Sequence, residues 1–287
     1  MLYGAILYPE VPDEPFTSSL HAIRRVKWEA VVPTAGNSVV GNSDELFPAH
    51  CNLVAILDRE YTSYAFLSTL VRRGCHLFLP EKQKMTSAER MKLVQLAEEG
   101  NTFIQIRNDL LFHPSFLAGE KSEIKSKLIE IHHIAPERLC ALQEMLYSNL
   151  LMILRIADSD PSRISVCSIP NTEYQSDVVN LHLNFNNGSA ASLTLSFKGE
   201  KNEHLLTVHS ASGTLHYNFR ENDLNTHDSE LENAILYSDD LLIKQIDFFS
   251  NCILKKGCSR FGMNDEARTY RLLEKINQKL EFSSVPI

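Results

Sequence analysis

The sequence predicts an α/β protein of two domains: a parallel-sheet domain over residues 1–115, and an α+β domain with a large open, mainly antiparallel sheet over residues 116–287. Three observations predict it. Strand-like and helix-like segments alternate as far as Ile106, the pattern of a parallel sheet with right-handed crossovers. From Ile164 onward, β-rich runs follow one another on short turns, as antiparallel strands do. The chain has 287 residues, 44% of them apolar, which suits one large or two moderate domains on a prior of roughly 100–200 residues each.

In the first domain, Gly4–Leu7 is a strand and Thr17–Val26 a helix, with Thr17 or Ser18 as its cap. Trp28–Val32 is a second strand, stopped by Pro33. Asn52–Leu57 is a continuous apolar run, typical of a strand buried on both faces. Thr62–Arg73 is a helix ended by Gly74, followed by a strand at His76–Leu79. Thr86–Glu99 is an amphipathic helix: Thr86 and Glu89 have capping-box spacing, and Gly100 closes it. A strand at Thr102–Ile106 completes the domain. In the second domain a long apolar helix, Pro136–Ala157, precedes strands at Ile164–Ile169, Val178–Phe185, Ala191–Phe197, His204–His209 and Thr214–Phe219. Asn186-Asn187-Gly188 and Ser212-Gly213 supply hairpin turns. Helices at about Asp239–Leu254 and Asp265–Leu280 close the chain.

Composition excludes several roles. A net charge of −8 argues against general nucleic-acid binding, which needs a basic face. No apolar run approaches the roughly 18 residues of a membrane helix, and Leu2–Tyr8 lacks the basic flank of a signal peptide. The expectation is a cytoplasmic protein with no membrane partner. Cys51, Cys75, Cys140, Cys167, Cys252 and Cys258 are scattered through apolar segments without a CxxC pair, and read as buried free thiols. No metal site is expected: His132 and His133 are adjacent, and neighbours on an extended chain point opposite ways. His182, His204, His209 and His216 fall in the predicted sheet and read as half-buried strand residues. Arg24-Arg25 and Arg72-Arg73 lie near helix C-termini, where cations offset the macrodipole. Asn187-Gly188-Ser189 matches a glycosylation sequon and reads as a turn.

The most informative segment follows the first strand. Where a dinucleotide-binding chain has its glycine-rich turn, this one has Tyr8-Pro9-Glu10-Val11-Pro12-Asp13-Glu14-Pro15. Those glycines give a tight turn and let the backbone approach a pyrophosphate. Here three prolines remove N–H donors and three acids repel phosphate.

Order and spacing over most of the chain nevertheless resemble the glucose–fructose oxidoreductase / inositol dehydrogenase (Gfo/Idh/MocA) family. The resemblance rests on Leu53-Val54-Ala55-Ile56-Leu57, Ala65–Gly74, His76–Leu79, Met85 through Gly100, Phe112-His113-Pro114, Gly213 and Asn264-Asp265-Glu266-Ala267. It implies a Rossmann-like first domain, a second domain with an open sheet that serves as a homo-oligomer interface, and hydride transfer between NAD or NADP and a sugar-like substrate. The chemical positions depart from it. Tyr8, Glu10 and Asp13 occupy the three glycine positions, and Pro33-Thr34-Ala35 stands where an acid holds the ribose. A Rossmann helix and strand are reduced to Gly36–Leu46, and the Thr-Pro loop becomes Asp58-Arg59-Glu60-Tyr61-Thr62-Ser63. The family Glu-Lys-Pro motif falls on Pro80-Glu81-Lys82; a one-residue slip aligns Glu81-Lys82 with Glu-Lys and leaves Gln83 for the proline. The family Asp and His, four apart on a second-domain helix, align with Met145 and Asn149.

The candidate residues are therefore Glu81, Lys82 and Asn149 for catalysis, and Tyr8, Asp58 and Arg59 for a cofactor, with Tyr147 beside Asn149. Asn149 forms hydrogen bonds but shuttles no proton near neutral pH. Two functions follow. One is a divergent member without ordinary dehydrogenase chemistry and without a cofactor, acting as a ligand-binding, scaffold or regulatory protein for a sugar-like molecule or a related subunit. The alternative is an NAD(P)-dependent oxidoreductase of a sugar, cyclitol or sugar-nucleotide hydroxyl, with Lys82 handling the proton.

Overall fold

The computed structural model of the chain describes residues 1–9, 14–34, 47–81, 83–113, 116, 127–135, 142–170, 176–211, 213–219, 238–257 and 261–283. In chain order its elements are β1 (Leu2–Tyr8), α1 (Glu14–His21), β2 (Val26–Pro33), β3 (Leu53–Ile56), a 3-10 turn (Arg59–Tyr61), α2 (Tyr64–Arg72), β4 (His76–Leu79), α3 (Ser87–Glu99) and β5 (Ile104–Ile106). There follow β6 (Leu128–Ile134), α4 (Leu142–Ala157), β7 (Pro161–Pro170), β8 (Ser176–Phe185), β9 (Ala190–Ser196), β10 (Glu203–Ser210), β11 (Gly213–Asn218), α5 (Ser238–Leu254) and α6 (Met263–Ser283). They fall into two compact units, Met1–Asp109 with Leu236–Ala267, and Leu110–Ile235 with Arg268–Ile287. Where the sequence reading has one boundary after residue 115, the chain passes between units at Asp109, Ile235 and Ala267.

The first unit is built on a five-stranded parallel sheet of order β2-β1-β3-β4-β5. β3 is buried throughout and β4 at all but His76, as a sheet covered on both faces requires. Gly4 of β1 stands opposite Trp28 of β2. A Cβ there would stand 2.6 Å from Val26 Cγ1 and 2.8 Å from the Trp28 ring. That ring is pinned by its Nε1–H to the Leu20 carbonyl at 2.9 Å. Leu242, Ile246 and Phe249 of α5 join Ile6, Phe16, Trp28, Leu53 and Phe78 in one core. This is why a segment so late in sequence returns to the first unit.

Several local expectations shift. The first helix starts at Glu14, so Thr17 and Ser18 are inside it rather than capping it. Pro15 is tolerated because first-turn N–H groups have no helical partner. The helix ends at His21 because Val26 already pairs in parallel with Leu2. Ser63 caps α2, and Gly74 follows it at φ +81°. Thr86 and Glu89 form the capping box on α3. Gly100 is the C-cap but has helical φ; Asn101, at φ +49°, takes the left-handed position. The reduced segment Gly36–Leu46 lies outside the described residues.

The second unit carries a six-stranded sheet of order β11-β10-β6-β9-β8-β7. It is mixed: β6, a strand the sequence reading did not identify, runs parallel to β9 and antiparallel to β10. The predicted Asn186-Asn187-Gly188 turn joins β8 to β9, with Gly188 at φ +81° and Asn187 Oδ1 accepting from the Ser189 N–H. One face of the sheet, including Ile129, Ile131, Leu181, Leu193 and Leu206, is buried, and α4 packs on β6 and β9. The other carries Glu130, His132, His182, Thr194, His209 and His216, several of them exposed.

Among the cysteines, Cys51, Cys75 and Cys252 are buried and in no disulfide, whereas Cys167 is exposed, contrary to expectation. It stands on edge strand β7, whose outer side no described strand pairs. Cys140 and Cys258 lie outside the described residues. No helix among the described residues is long and apolar enough to cross a membrane, and no His/Cys/Asp/Glu group among them is placed to hold a metal ion.

Candidate functional site

Parallel strands bring their carboxyl ends to one edge, and open α/β sheets place ligands there. In the first unit this edge collects Tyr8 at the end of β1, Thr34 after β2, Asp58 after β3, Glu81 after β4 and Asn108-Asp109 after β5. Four of the six sequence-predicted residues are therefore on it or beside it: Tyr8, Asp58, Arg59 and Glu81. Lys82 lies outside the described residues.

The Tyr8 ring packs on Phe16 of α1, centroids 5.0 Å apart. The first turn of α1 presents exposed Glu14 and Pro15. The Tyr8 carbonyl accepts the Thr34 N–H at 2.9 Å. The Thr34 hydroxyl lies 3.0 Å from that same carbonyl and 2.5 Å from Asp58 Oδ2. One hydroxyl has one proton, and the charged acceptor is the stronger, so Thr34 donates to Asp58. The other Asp58 oxygen caps the 3-10 turn, accepting the Glu60 N–H at 2.9 Å. Both oxygens of Asp58 are thus engaged by the chain itself. Exposed Arg59 begins the turn.

The loop after β4 is anchored to its surroundings. Glu60 pairs with the Lys84 ammonium. Buried Thr62 accepts the Lys84 N–H at 2.9 Å and donates to the Arg59 carbonyl at 2.7 Å. Arg90 of α3, itself buried, donates to the Gln83 carbonyl at 3.1 Å and pairs with buried Glu266 at 3.4 Å. Glu81 accepts from Asn108 Nδ2 at 3.1 Å. Gln245 of α5 holds the neighbouring loop: its Oε1 accepts the Asn108 N–H and its Nε2 donates to Asp109, both at 2.9 Å. Arg107 grips Asp109 with two bonds, 3.1 and 2.9 Å. Sequence reasoning missed Thr34, Arg90, Asn108 and Gln245, because their partners come from distant segments.

No family model and no curated protein matches the chain. Solved structures do. A UDP-N-acetylglucosamine 3-dehydrogenase from Acidithiobacillus ferrooxidans is 15% identical, with 99% of each chain covered and a TM-score of 0.74. A probable dehydrogenase from Thermotoga maritima is 13% identical over 98% of this chain and 97% of that one, TM-score 0.74. A putative myo-inositol dehydrogenase from Sinorhizobium meliloti 1021 is 11% identical over 98% of each, TM-score 0.73. The fold is the two-domain Gfo/Idh/MocA fold.

In that fold the sequence resemblance puts the proton-handling pair at Met145 and Asn149 of α4. Met145 is buried apolar surface. Asn149 is fully buried, and its amide is committed within the second unit. Nδ2 donates to the Met145 carbonyl at 2.7 Å, which fixes the amide's orientation, since a carbonyl only accepts. The same nitrogen is 3.0 Å from His133 Nδ1, and Oδ1 is 2.9 Å from His204 Nε2. His133 Nδ1 must therefore accept and His204 Nε2 must donate. The two imidazoles stack with centroids 4.0 Å apart and planes 10° off parallel, and Phe219 covers His204 at 4.8 Å. His113 meets Phe219 edge-on at 5.5 Å, and burial pushes its pKa down. His132 points to the opposite, exposed side of β6, as the alternation predicts. His204 departs from the expected half-burial, since α4 and Phe219 cover it. Tyr147 packs on Tyr270 at 5.0 Å rather than standing beside Asn149 in an open site.

Proposed function

We propose that this chain is a divergent protein of the Gfo/Idh/MocA fold that binds a sugar-like ligand or a protein partner without ordinary dehydrogenase chemistry. One observation carries the reading. At the position where the resemblance implies a proton-transferring histidine, Asn149 has no ionisable group, and each of its polar atoms is bound to the Met145 carbonyl, His133 or His204. Oxidising a hydroxyl needs a base that takes its proton as hydride leaves. The residues at the end of β1 fit a dinucleotide diphosphate poorly. Tyr8 packs its ring against Phe16, Glu14 puts a negative charge at the mouth of α1, and Pro15 offers no N–H there. Asp58 is held by Thr34 and Glu60 rather than presented to a ribose. The open sheet face of the second unit suits a homo-oligomer interface, and a cytoplasmic setting agrees with the buried free thiols.

The second reading, an NAD(P)-dependent oxidoreductase using Lys82, draws on the full-length likeness to dehydrogenases and to a gentamicin A biosynthesis protein solved with NAD. Titration with NADH and NADPH, followed by thermal shift, separates the two, because a ligand bound to the native state raises the melting point by mass action. The first reading expects no saturable shift at millimolar cofactor. A saturable shift, together with turnover abolished by Lys82→Ala, would replace it with the second.

A further inference from the structure

We propose that the groove between α1 and α5 is a docking site for an acidic, amphipathic segment of a partner protein. It encloses about 620 Å³. Its floor is apolar, formed by Ile23, Ile243 and Phe248, and two cations flank it, Arg24 and Lys244. Both are exposed, and neither has a partner among the described residues. A third cation, Arg25, is already matched by Asp247 at 2.5 Å, which ties the turn before β2 to α5. The Leu2 N–H bonds the Arg25 carbonyl at 2.9 Å, so the groove borders the amino-terminal edge of the sheet. It is thus remote from the carboxyl edge described above, and the proposal is independent of the proposed function.

Charge complementarity selects the occupant. The whole chain carries −8, yet this groove holds two unmatched positive charges over apolar surface. Such a surface attracts carboxylates at its rim and a bulky aliphatic side chain at its floor, the pattern of an amphipathic segment laid between two helices. A small anion would leave Ile243 and Phe248 uncovered. A nucleic acid would meet strong overall repulsion.

The test uses the full chain and a short fluorescein-labelled peptide with Leu at helical spacing and Glu elsewhere, followed by anisotropy at low salt. Saturable binding is expected, reduced about tenfold or more by Arg24→Glu with Lys244→Glu, since each exposed pair turns from attraction to repulsion. The same peptide with Lys in place of Glu should not bind. Circular dichroism melting checks that the reversed variant is folded; if it is not, Arg24→Gln with Lys244→Gln takes its place. No saturation by about 1 mM peptide would overturn the proposal. So would equal affinity for wild type and variant, or full displacement by inorganic phosphate at matched ionic strength, which would mark a small-anion site. Sedimentation that finds a dimer in wild type and a monomer in the variant would assign the groove to a second copy, and equally overturn it.

Discussion

Glu266→Gln removes a charge and almost no volume from the first unit. Glu266 is fully buried and the Arg90 side chain 4% exposed, with 3.4 Å between Oε2 and Nε. At an effective dielectric of about 20, two unit charges at this distance attract by about 5 kcal/mol. Breaking one side of a buried pair typically costs about 3–5 kcal/mol, because the remaining charge stays desolvated. Arg90 keeps its bond to the Gln83 carbonyl, so the expected loss is near the lower end, about 3 kcal/mol. The single tryptophan, Trp28, is in the core of the same unit, and its fluorescence in a urea titration reads that unit's unfolding. The paired replacement Arg90→Met with Glu266→Leu should recover most of the loss, since no charge is then left buried. A shift below about 1 kcal/mol for Glu266→Gln would refute the reasoning and show that the pair is not desolvated.

Acid should destabilise the first unit through His76. Burial lowers its pKa from 6.5 to about 4, and its Nδ1 accepts the Phe103 N–H at 3.0 Å. Between those values the unfolded chain binds the extra proton, so this stability is present above 6.5 and is lost as pH falls toward 4. On the order of 1–3 kcal/mol is at stake after discounting for partial exposure; denaturant midpoints across this range should fall less steeply in His76→Asn, and equal slopes would count against it. Gly4→Ala should cost about 1–3 kcal/mol, because its Cβ meets Val26 and a Trp28 ring that is pinned to Leu20; an unchanged melting temperature would mean the strands relax freely. In thiol titration of native protein, Cys167→Ser should remove one fast equivalent and Cys51→Ala none, because burial pushes the Cys51 thiol up to about 11. Fast loss on Cys51→Ala would show that the core opens.

Local signals were legible where chemistry is contained in a few neighbouring residues. The Thr86–Glu89 box, the His76–Leu79 strand and the apolar run of β3 each depend on short-range spacing. The fold class followed from their order. β6 is harder to read although Ile129, Ile131 and His133 alternate into the core, because the strands that pair with it, β9 and β10, lie some sixty or more residues on. The carboxyl-edge residues Tyr8, Asp58 and Glu81 were legible because strand ends define that edge. What they do there was not, because Thr34 and Asn108 reach Asp58 and Glu81 across long separations, and Gln245 in turn holds Asn108. Asn149 likewise reads as a lone substitution in sequence, and only the packing of β6 and β10 on α4 brings His133 and His204 to it.

The return of α5 to the first unit has a consequence for biosynthesis. Strands β1 to β5 leave the ribosome well over a hundred residues before Leu242, Ile246 and Phe249 emerge to cover them. At about 5–20 residues per second, that delay is on the order of ten seconds. Throughout it the nascent sheet exposes apolar surface to water and to neighbouring chains. Chaperone demand during translation should therefore fall on the amino-terminal half, which has to wait for the late segment Leu236–Ala267 before it is complete.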